Sequence, residues 1–304
     1  MPTDSLPCFR EETSSRQLFH SRFDCSPFPF DHLLHCSELF RFDALLALAK
    51  RVAGKQNRWY VEQGDTLPQR GWQPSATGRG LAESLEGIAE NHSLVMLKRV
   101  NEEPEYGELL RRMIEELSDL TGIDVRSRYR DGLFTVLITS PLRVTPYHID
   151  GEVTLLMQMH GRKSVYIFDG DDREVLPSAE LEEFWSGNIY ATRYKQDLQN
   201  RAWRFELAPG VGVTTPVAFP HWVQNGPEIS ISVSMNFKRV SDDRADAYRV
   251  NHHLRKLGMH PQEPGKHIAI DHAKGEIYRG ARWVKKSLDH LHLPSSHHEA
   301  GLTA

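Results

Sequence analysis

The sequence predicts a mainly β fold with flanking helices, a double-stranded β-helix or jelly roll, and three observations predict it. From Ser127 onward the chain breaks into short runs of Val, Ile, Phe and Tyr bounded by Gly, Pro and Asp, the texture of many turn-linked antiparallel strands. On either side of that stretch apolar residues recur at helical spacing. A chain of 304 residues has room for one barrel with helical additions.

Residues 1 to about 38 are rich in Ser, Pro, Phe and His without a sustained period, and are expected to form an extended arm docked through Phe19, Phe23, Phe28 and Phe30. Leu45, Leu46, Leu48, Ala49 and Val52 predict a short amphipathic helix over Phe42 to Ala53, with Gly54 as its C-cap. Residues 55 to 78 read as loop, with one strand at Arg58 to Val61. A second helix is expected at Leu81 to Ala89 and a buried strand at Ser93 to Val100. The clearest helix runs from Glu105 to Leu120, where Leu109, Leu110, Met113, Ile114 and Leu117 make an apolar stripe and Gly122 ends it.

Strands are then expected at Leu133 to Thr139, Thr145 to Met159, Lys163 to Phe168, Ala202 to Leu207, Gly212 to Thr215, His221 to Gln224 and Ile229 to Lys238, interrupted by a helix at Ala179 to Trp185. After Val240 the pattern turns helical, with Arg244 to Leu257 as the main helix, and the last fifteen residues read as a frayed tail. The expected organisation is therefore an arm and packing helices over 1–125, a barrel over 126–240 and a C-terminal helical extension over 241–304. No internal repeat or linker divides it further.

Composition excludes several classes. The 39% hydrophobic and 26% charged fractions argue against wholesale disorder, and no apolar run is long enough to span a bilayer. The amino terminus lacks the charged start and apolar centre of a secretory signal, so a soluble, cytoplasmic protein is expected. Cys8, Cys25 and Cys36 are spaced unlike any zinc set and read as three reduced thiols. A net charge of -4 gives no general attraction to nucleic acid, and neither nucleic acid nor membrane is expected as a partner.

His148, Asp150 and His221 have the composition of a facial triad of two histidines and one carboxylate, a set that holds ferrous iron and leaves coordination positions open. His148 and Asp150 are two apart, so in an extended strand both face one side. Taken alone the pair reads more readily as a polar strand end than as a ligand pair, since sixteen histidines make such a pair common. Residues nearby add to it. If His160-Gly161 forms a two-residue hairpin turn, Gln158 sits opposite Lys163, and Lys163 shares a face with His148, Asp150, Thr154, Leu156 and Gln158. An inward lysine is costly unless it meets an anion; on a solvent-facing edge it would need none. In the last strand Ile229, Ile231, Val233, Met235 and Phe237 alternate with Ser230, Ser232, Ser234 and Asn236, which suits a barrel with an apolar outside and a polar pocket, or a sheet with one face in water.

With Thr145-x-x-His148-x-Asp150, Lys163 fifteen residues after His148, the distal His221, and Asn236 fifteen residues later, the chain resembles the JmjC and cupin-like branch of the Fe(II) and 2-oxoglutarate dependent oxygenases. The Thr145-Pro146 start and the Gln158-x-x-Gly161-x-Lys163 spacing are similar to the asparaginyl hydroxylase type that acts on hypoxia-inducible factor. The resemblance covers roughly Leu133 to Val240. It implies that His148, Asp150 and His221 bind Fe(II), that Lys163 and Thr145 hold the distal carboxylate of 2-oxoglutarate, and that Asn236 lines the cosubstrate pocket with Thr154 and Gln158 beside it. That hydroxylase type has an asparagine where this chain has Thr154. For the tyrosine that many relatives place on the carboxylate, Tyr147 and Tyr129 are the candidates.

The resemblance further implies a dioxygenase that consumes O2 and hydroxylates, or demethylates through hydroxylation, a protein, peptide or small-molecule substrate. It also implies pairing of two copies through the C-terminal helices, for which Tyr248, Val250, Leu254 and Leu257 supply an apolar side; that side serves equally to pack the helix onto its own barrel. Two other readings share the barrel: a divalent-metal cupin isomerase or hydrolase, and a non-enzymatic interaction or sensor protein. The loops Asp169 to Pro177 and Tyr190 to Arg201 are where substrate choice would lie.

Overall fold

The computed structural model describes residues 7–10, 13–64, 66–70 and 80–291. Part of the loop expected over 55 to 78 and nearly all of the expected frayed tail lie outside them. The chain divides into two compact units, 1–184 with 188–240, and 185–187 with 241–304.

In the first unit the early elements are α1 (Thr13–Arg22), β1 (Pro29–Asp31), α2 (Phe42–Val52), β2 (Trp59–Gln63), α3 (Leu81–Glu86), β3 (Ser93–Leu97), α4 (Pro104–Thr121) and α5 (Val125–Arg128). The barrel strands follow as β4 (Tyr129–Thr139), β5 (Val144–His148), β6 (Val153–His160) and β7 (Lys163–Ile167). After α6 (Ser178–Trp185) come β8 (Trp203–Leu207), β9 (Val211–Thr215), β10 (His221–Asn225) and β11 (Ser230–Arg239). They build two antiparallel sheets, one of seven strands in the order β1-β9-β6-β11-β4-β3-β2 and one of four in the order β5-β10-β7-β8. From β4 to β11 successive strands alternate between the two sheets one by one, except that β7 and β8 are neighbours in the small sheet, the pattern of a jelly roll.

The alternation of β11 decides which way the large sheet faces. Ile231, Val233, Met235 and Phe237 join Phe134, Val136, Ile138, Leu155 and Met157 in one core with Leu45, Leu48, Leu109, Met113 and Leu117 of α2 and α4. The outer face is thus covered by the N-terminal helices, and the Ser and Asn residues of β11 turn inward. Gly122 ends α4 in the left-handed region at φ +68°, its N–H donating to Ser118 O at 2.9 Å.

Three expectations need correction. The N-terminal arm contains a helix, α1, whose Phe19 is buried with Phe9, Phe28 and Phe30 in an aromatic cluster. The arm then adds β1 to the edge of β9, with Phe30 opposite Gly212. The single strand expected over Thr145 to Met159 is two strands in different sheets, broken at residues 149–152. His160-Gly161 is no hairpin turn either, because β6 and β7 do not pair. Gly161, at φ +71°, is a corner between sheets; Gln158 lies opposite Ser232, and Lys163 lies opposite Asn225 and Leu207.

The second unit holds α7 (Asp243–Lys256) and α8 (Ile268–Leu291). Asp242 caps α7 by accepting from Ala245 N–H at 2.9 Å. Arg279 of α8 reaches Asp243 and Asp246 of α7, each at 2.8 Å. The long α8 was not expected, because Gly275 and Gly280 weaken its helical signal. Among the described residues no helix is long and apolar enough to cross a membrane. The three cysteines are unbridged, Cys8 buried and Cys25 and Cys36 exposed.

Candidate metal centre

The small sheet carries two imidazoles on neighbouring strands. Across β5 and β10, His148 lies opposite His221 and Thr145 opposite Val223. Three steps along β5 match two along β10, so β5 bulges at Pro146 and Tyr147. Strict alternation would turn Thr145 away from His148; the bulge returns both to one face. A proline suits that place, having no N–H to give the ladder. β7 extends the rows, with Ile167 opposite His221, Val165 opposite Val223 and Lys163 opposite Asn225. Val165, Ile167 and Val223 pack together inside the barrel, and Lys163 shares their face.

Asp150 belongs to neither strand and reaches the histidines from the bend after β5. Its Oδ2 stands 3.6 Å from His221 Nε2 and 4.0 Å from His148 Nε2. One donor atom from each of the three lies within 4.8 Å of the others, which suits a single ion. His148 Nδ1 contacts Pro146 O at 2.7 Å and His221 Nδ1 contacts Phe219 O at 3.0 Å. A carbonyl can only accept, so each Nδ1 carries the proton and each Nε2 keeps its lone pair for the centre. Burial, reinforced by the neighbouring His148, holds His221 well below the usual imidazole range, in the neutral form that binds a cation.

The inner face of the large sheet supplies the opposite wall. Asn236 lies opposite Thr154 and donates through Nδ2 to its hydroxyl at 2.8 Å, while Ser234 donates to Asn236 Oδ1 at 2.7 Å. Ser232 donates to Gln158 Oε1 at 2.6 Å, and Gln158 Nε2 donates to Ser230 Oγ at 3.0 Å and to Gly161 O at 3.3 Å. Both ends of the Gln158 amide are therefore engaged in bracing the β6 corner. Lys163 is different. It is only 5% exposed and, among the described residues, its ammonium meets no carboxylate, so burial alone pulls it down to about 7. Such burial favours the neutral amine, and an anion placed beside it would favour the ammonium instead.

Neither candidate tyrosine faces this cavity. Tyr147 packs outside the small sheet with Phe168 and Tyr194, and Tyr129 donates to Asp24 Oδ2 at 2.9 Å. The register instead places Tyr60 of β2 in the inward row of Met96, Leu137 and Ser232. Beside it Glu62 forms a buried ion pair with Arg143 at 3.4 Å, joining the edge of the large sheet to the residue before β5. On the far side Trp203 lies opposite Ile167 and stacks on Phe219, ring centroids 6.4 Å apart. β2 is too short for its alternation to announce these residues, and Trp203 comes beside Ile167 and Phe219 only through strand pairing.

No protein-family model matches the chain, and no curated protein matches it. Solved structures do. One is the X-ray structure of E. coli ycfD, with a TM-score of 0.53 at 17% identity over 94% of this chain and 69% of that one. Another is YcfD from Escherichia coli, described as a ribosomal oxygenase, in complex with cobalt and 2-oxoglutarate, with a TM-score of 0.52 at 15% identity over 94% of this chain and 68% of that one. At these identities the likeness establishes the fold, a jelly roll with flanking helices.

Proposed function

We propose that this chain is an Fe(II) and 2-oxoglutarate dependent oxygenase that hydroxylates a protein substrate. The observation that carries the reading is one inward face holding both a three-donor metal set, His148, Asp150 and His221, and the buried Lys163 ammonium. Two imidazoles and one carboxylate are the donor set of an oxygen-activating ferrous site with open positions. A similar fold captured with cobalt and 2-oxoglutarate in YcfD supports the same pairing of metal and 2-oxo acid here.

In this reading His148, Asp150 and His221 hold the metal, and their single negative charge leaves it cationic enough to accept the 2-oxo acid. Lys163, with the Thr145 hydroxyl on the adjoining row, takes the distal carboxylate. Asn236 and Thr154 line the opposite wall, and Gln158 keeps the corner rigid beside them. Bound iron with 2-oxoglutarate and O2 supplies the oxidising power that no side chain has. The protein positions the reactants and shields them from water. Hydroxylation of a side chain is the primary outcome, and loss of a methyl group would follow where the carbon attacked sits on nitrogen.

Two finer points belong to the same reading. The three unbridged thiols suit the reducing cytoplasm. A second copy pairs through the C-terminal helices, where α8 carries Ile270, Ile277 and Val284 seven residues apart and 41%, 66% and 50% exposed. Such a spacing makes a seam that matches itself on an identical helix.

Succinate release from purified protein supplied with Fe(II), 2-oxoglutarate and O2 tests the proposal. We expect slow substrate-free turnover that disappears in Asp150→Ala. Full iron-dependent turnover in that variant would refute the triad.

A further inference from the structure

Two of the three donor residues are held by a sheet ladder, since His148 and His221 lie opposite each other across β5 and β10. Asp150 lies between β5 and β6 and has no ladder of its own. Its backbone carbonyl accepts a hydrogen bond from Ala218 N–H at 2.9 Å. Ala218 stands three residues before His221, in a turn closed by Phe219 N–H on Pro216 O at 3.3 Å. Its φ is +61°, a left-handed conformation that is sterically costly for alanine. The same short turn therefore carries one donor residue and grips another.

That turn is pressed from behind. Phe168 N–H donates to Pro220 O at 2.8 Å, and the chain after Phe168 passes directly against the turn. A Cβ on Gly170 would stand 2.7 Å from Ala218 O and 2.9 Å from Phe219 Cδ2. Backbone cannot swing aside as the end of a flexible side chain can, so only a glycine lets the two segments meet.

We propose that Gly170 and Ala218 are positioning residues for Asp150, and that the close seat of Gly170 on the Ala218 turn sets where the carboxylate stands relative to His221. Neither contributes a donor atom. The proposal rests on the reading of the triad as a metal site and adds what fixes its one loop-borne member.

Cobalt(II) titration of the purified full-length apo-protein, followed by visible absorption, tests it without turnover. Gly170→Ala is expected to weaken cobalt binding roughly tenfold or more, the size of effect seen when an outer support of a metal ligand is lost, and to shift the ligand-field bands. Ala218→Val, a branched residue at positive φ, should do the same. Ala218→Gly keeps the N–H and removes the left-handed strain, and should bind as the wild type does. Gly54→Ala, where an added methyl meets nothing within 4 Å, is the control and should change nothing. Wild-type affinity and spectrum in Gly170→Ala overturn the proposal; if that variant does not fold, wild-type behaviour of Ala218→Val overturns it. Asp150→Ala separates the two readings. If it binds cobalt like the wild type, the metal-site reading itself fails; if it alone loses binding, that reading stands and the positioning proposal falls.

Discussion

At the scale of a single residue, the burial of Lys163 bears directly on stability. Its folded-state value of about 7 lies below the ordinary 10.5, so the unfolded chain holds the proton more tightly across that interval. Stability should therefore rise with pH from about 7 toward 10.5, as the folded protein sheds a proton that the unfolded chain keeps. Lys163→Met should lose this slope and stabilise the ligand-free protein at pH 7 by about 1 kcal/mol or more, since an uncompensated buried cation is removed. It should also lose 2-oxoglutarate binding. Urea unfolding of both proteins between pH 6.5 and 9.5 checks the first point and isothermal calorimetry the second; parallel stability curves would contradict it. The inward direction of Lys163 was legible from sequence, although by way of a hairpin that does not exist. The corner at Gly161 and the hairpin share one consequence, an inward first residue of the next strand, so a wrong connection led to the right face.

At the scale of elements, corners and bulges decide what sequence periodicity leaves open. β5 and β6 run close enough in sequence to look like one strand, and only pairing with different sheets separates them. The bulge at Pro146 and Tyr147 places Thr145 beside His148 on the inner face, against simple alternation. Gly161 makes the turn from one sheet to the other at φ +71°, and an added Cβ would collide with Ile229 O. Gly161→Ala is accordingly expected to destabilise the fold by about 2 kcal/mol or more, combining left-handed strain with a backbone clash. Thermal unfolding measures this, and a melting temperature equal to that of the wild type would remove the corner argument. Helices were read more securely than strand connections. The α2 and α4 stripes span three or more turns each, enough repeats for a 3.6-residue period to stand out, whereas α1 buries chiefly one aromatic edge and α8 contains two glycines.

For the whole molecule the exposed row on α8 bears on association. If the exposed seam of α8 pairs two copies, the purified protein should sediment at twice 34.8 kDa. Ile277→Glu with Val284→Glu should then bring it to the monomer mass while cobalt binding at the triad stays intact. A wild-type monomer at micromolar concentration, or a dimer that survives both charges, would contradict the α8 seam. The sequence places an apolar side of the C-terminal region on Tyr248, Val250, Leu254 and Leu257; of these Tyr248 is buried and Leu257 is 76% exposed, and α8 adds the exposed row Ile270, Ile277 and Val284.

The three candidate donors and the jelly roll were both present in the linear chain, because donor chemistry is a property of side chains and strand alternation a property of local backbone geometry. How Asp150 reaches two histidines, why Thr145 faces inward, and which residues rim the mouth were not. Those depend on a bulge, a left-handed turn and contacts between segments some seventy residues apart, as between Asp150 and Ala218. Such contacts carry no local periodicity, since their energy comes from close packing and hydrogen bonds made only once the two sheets have come together.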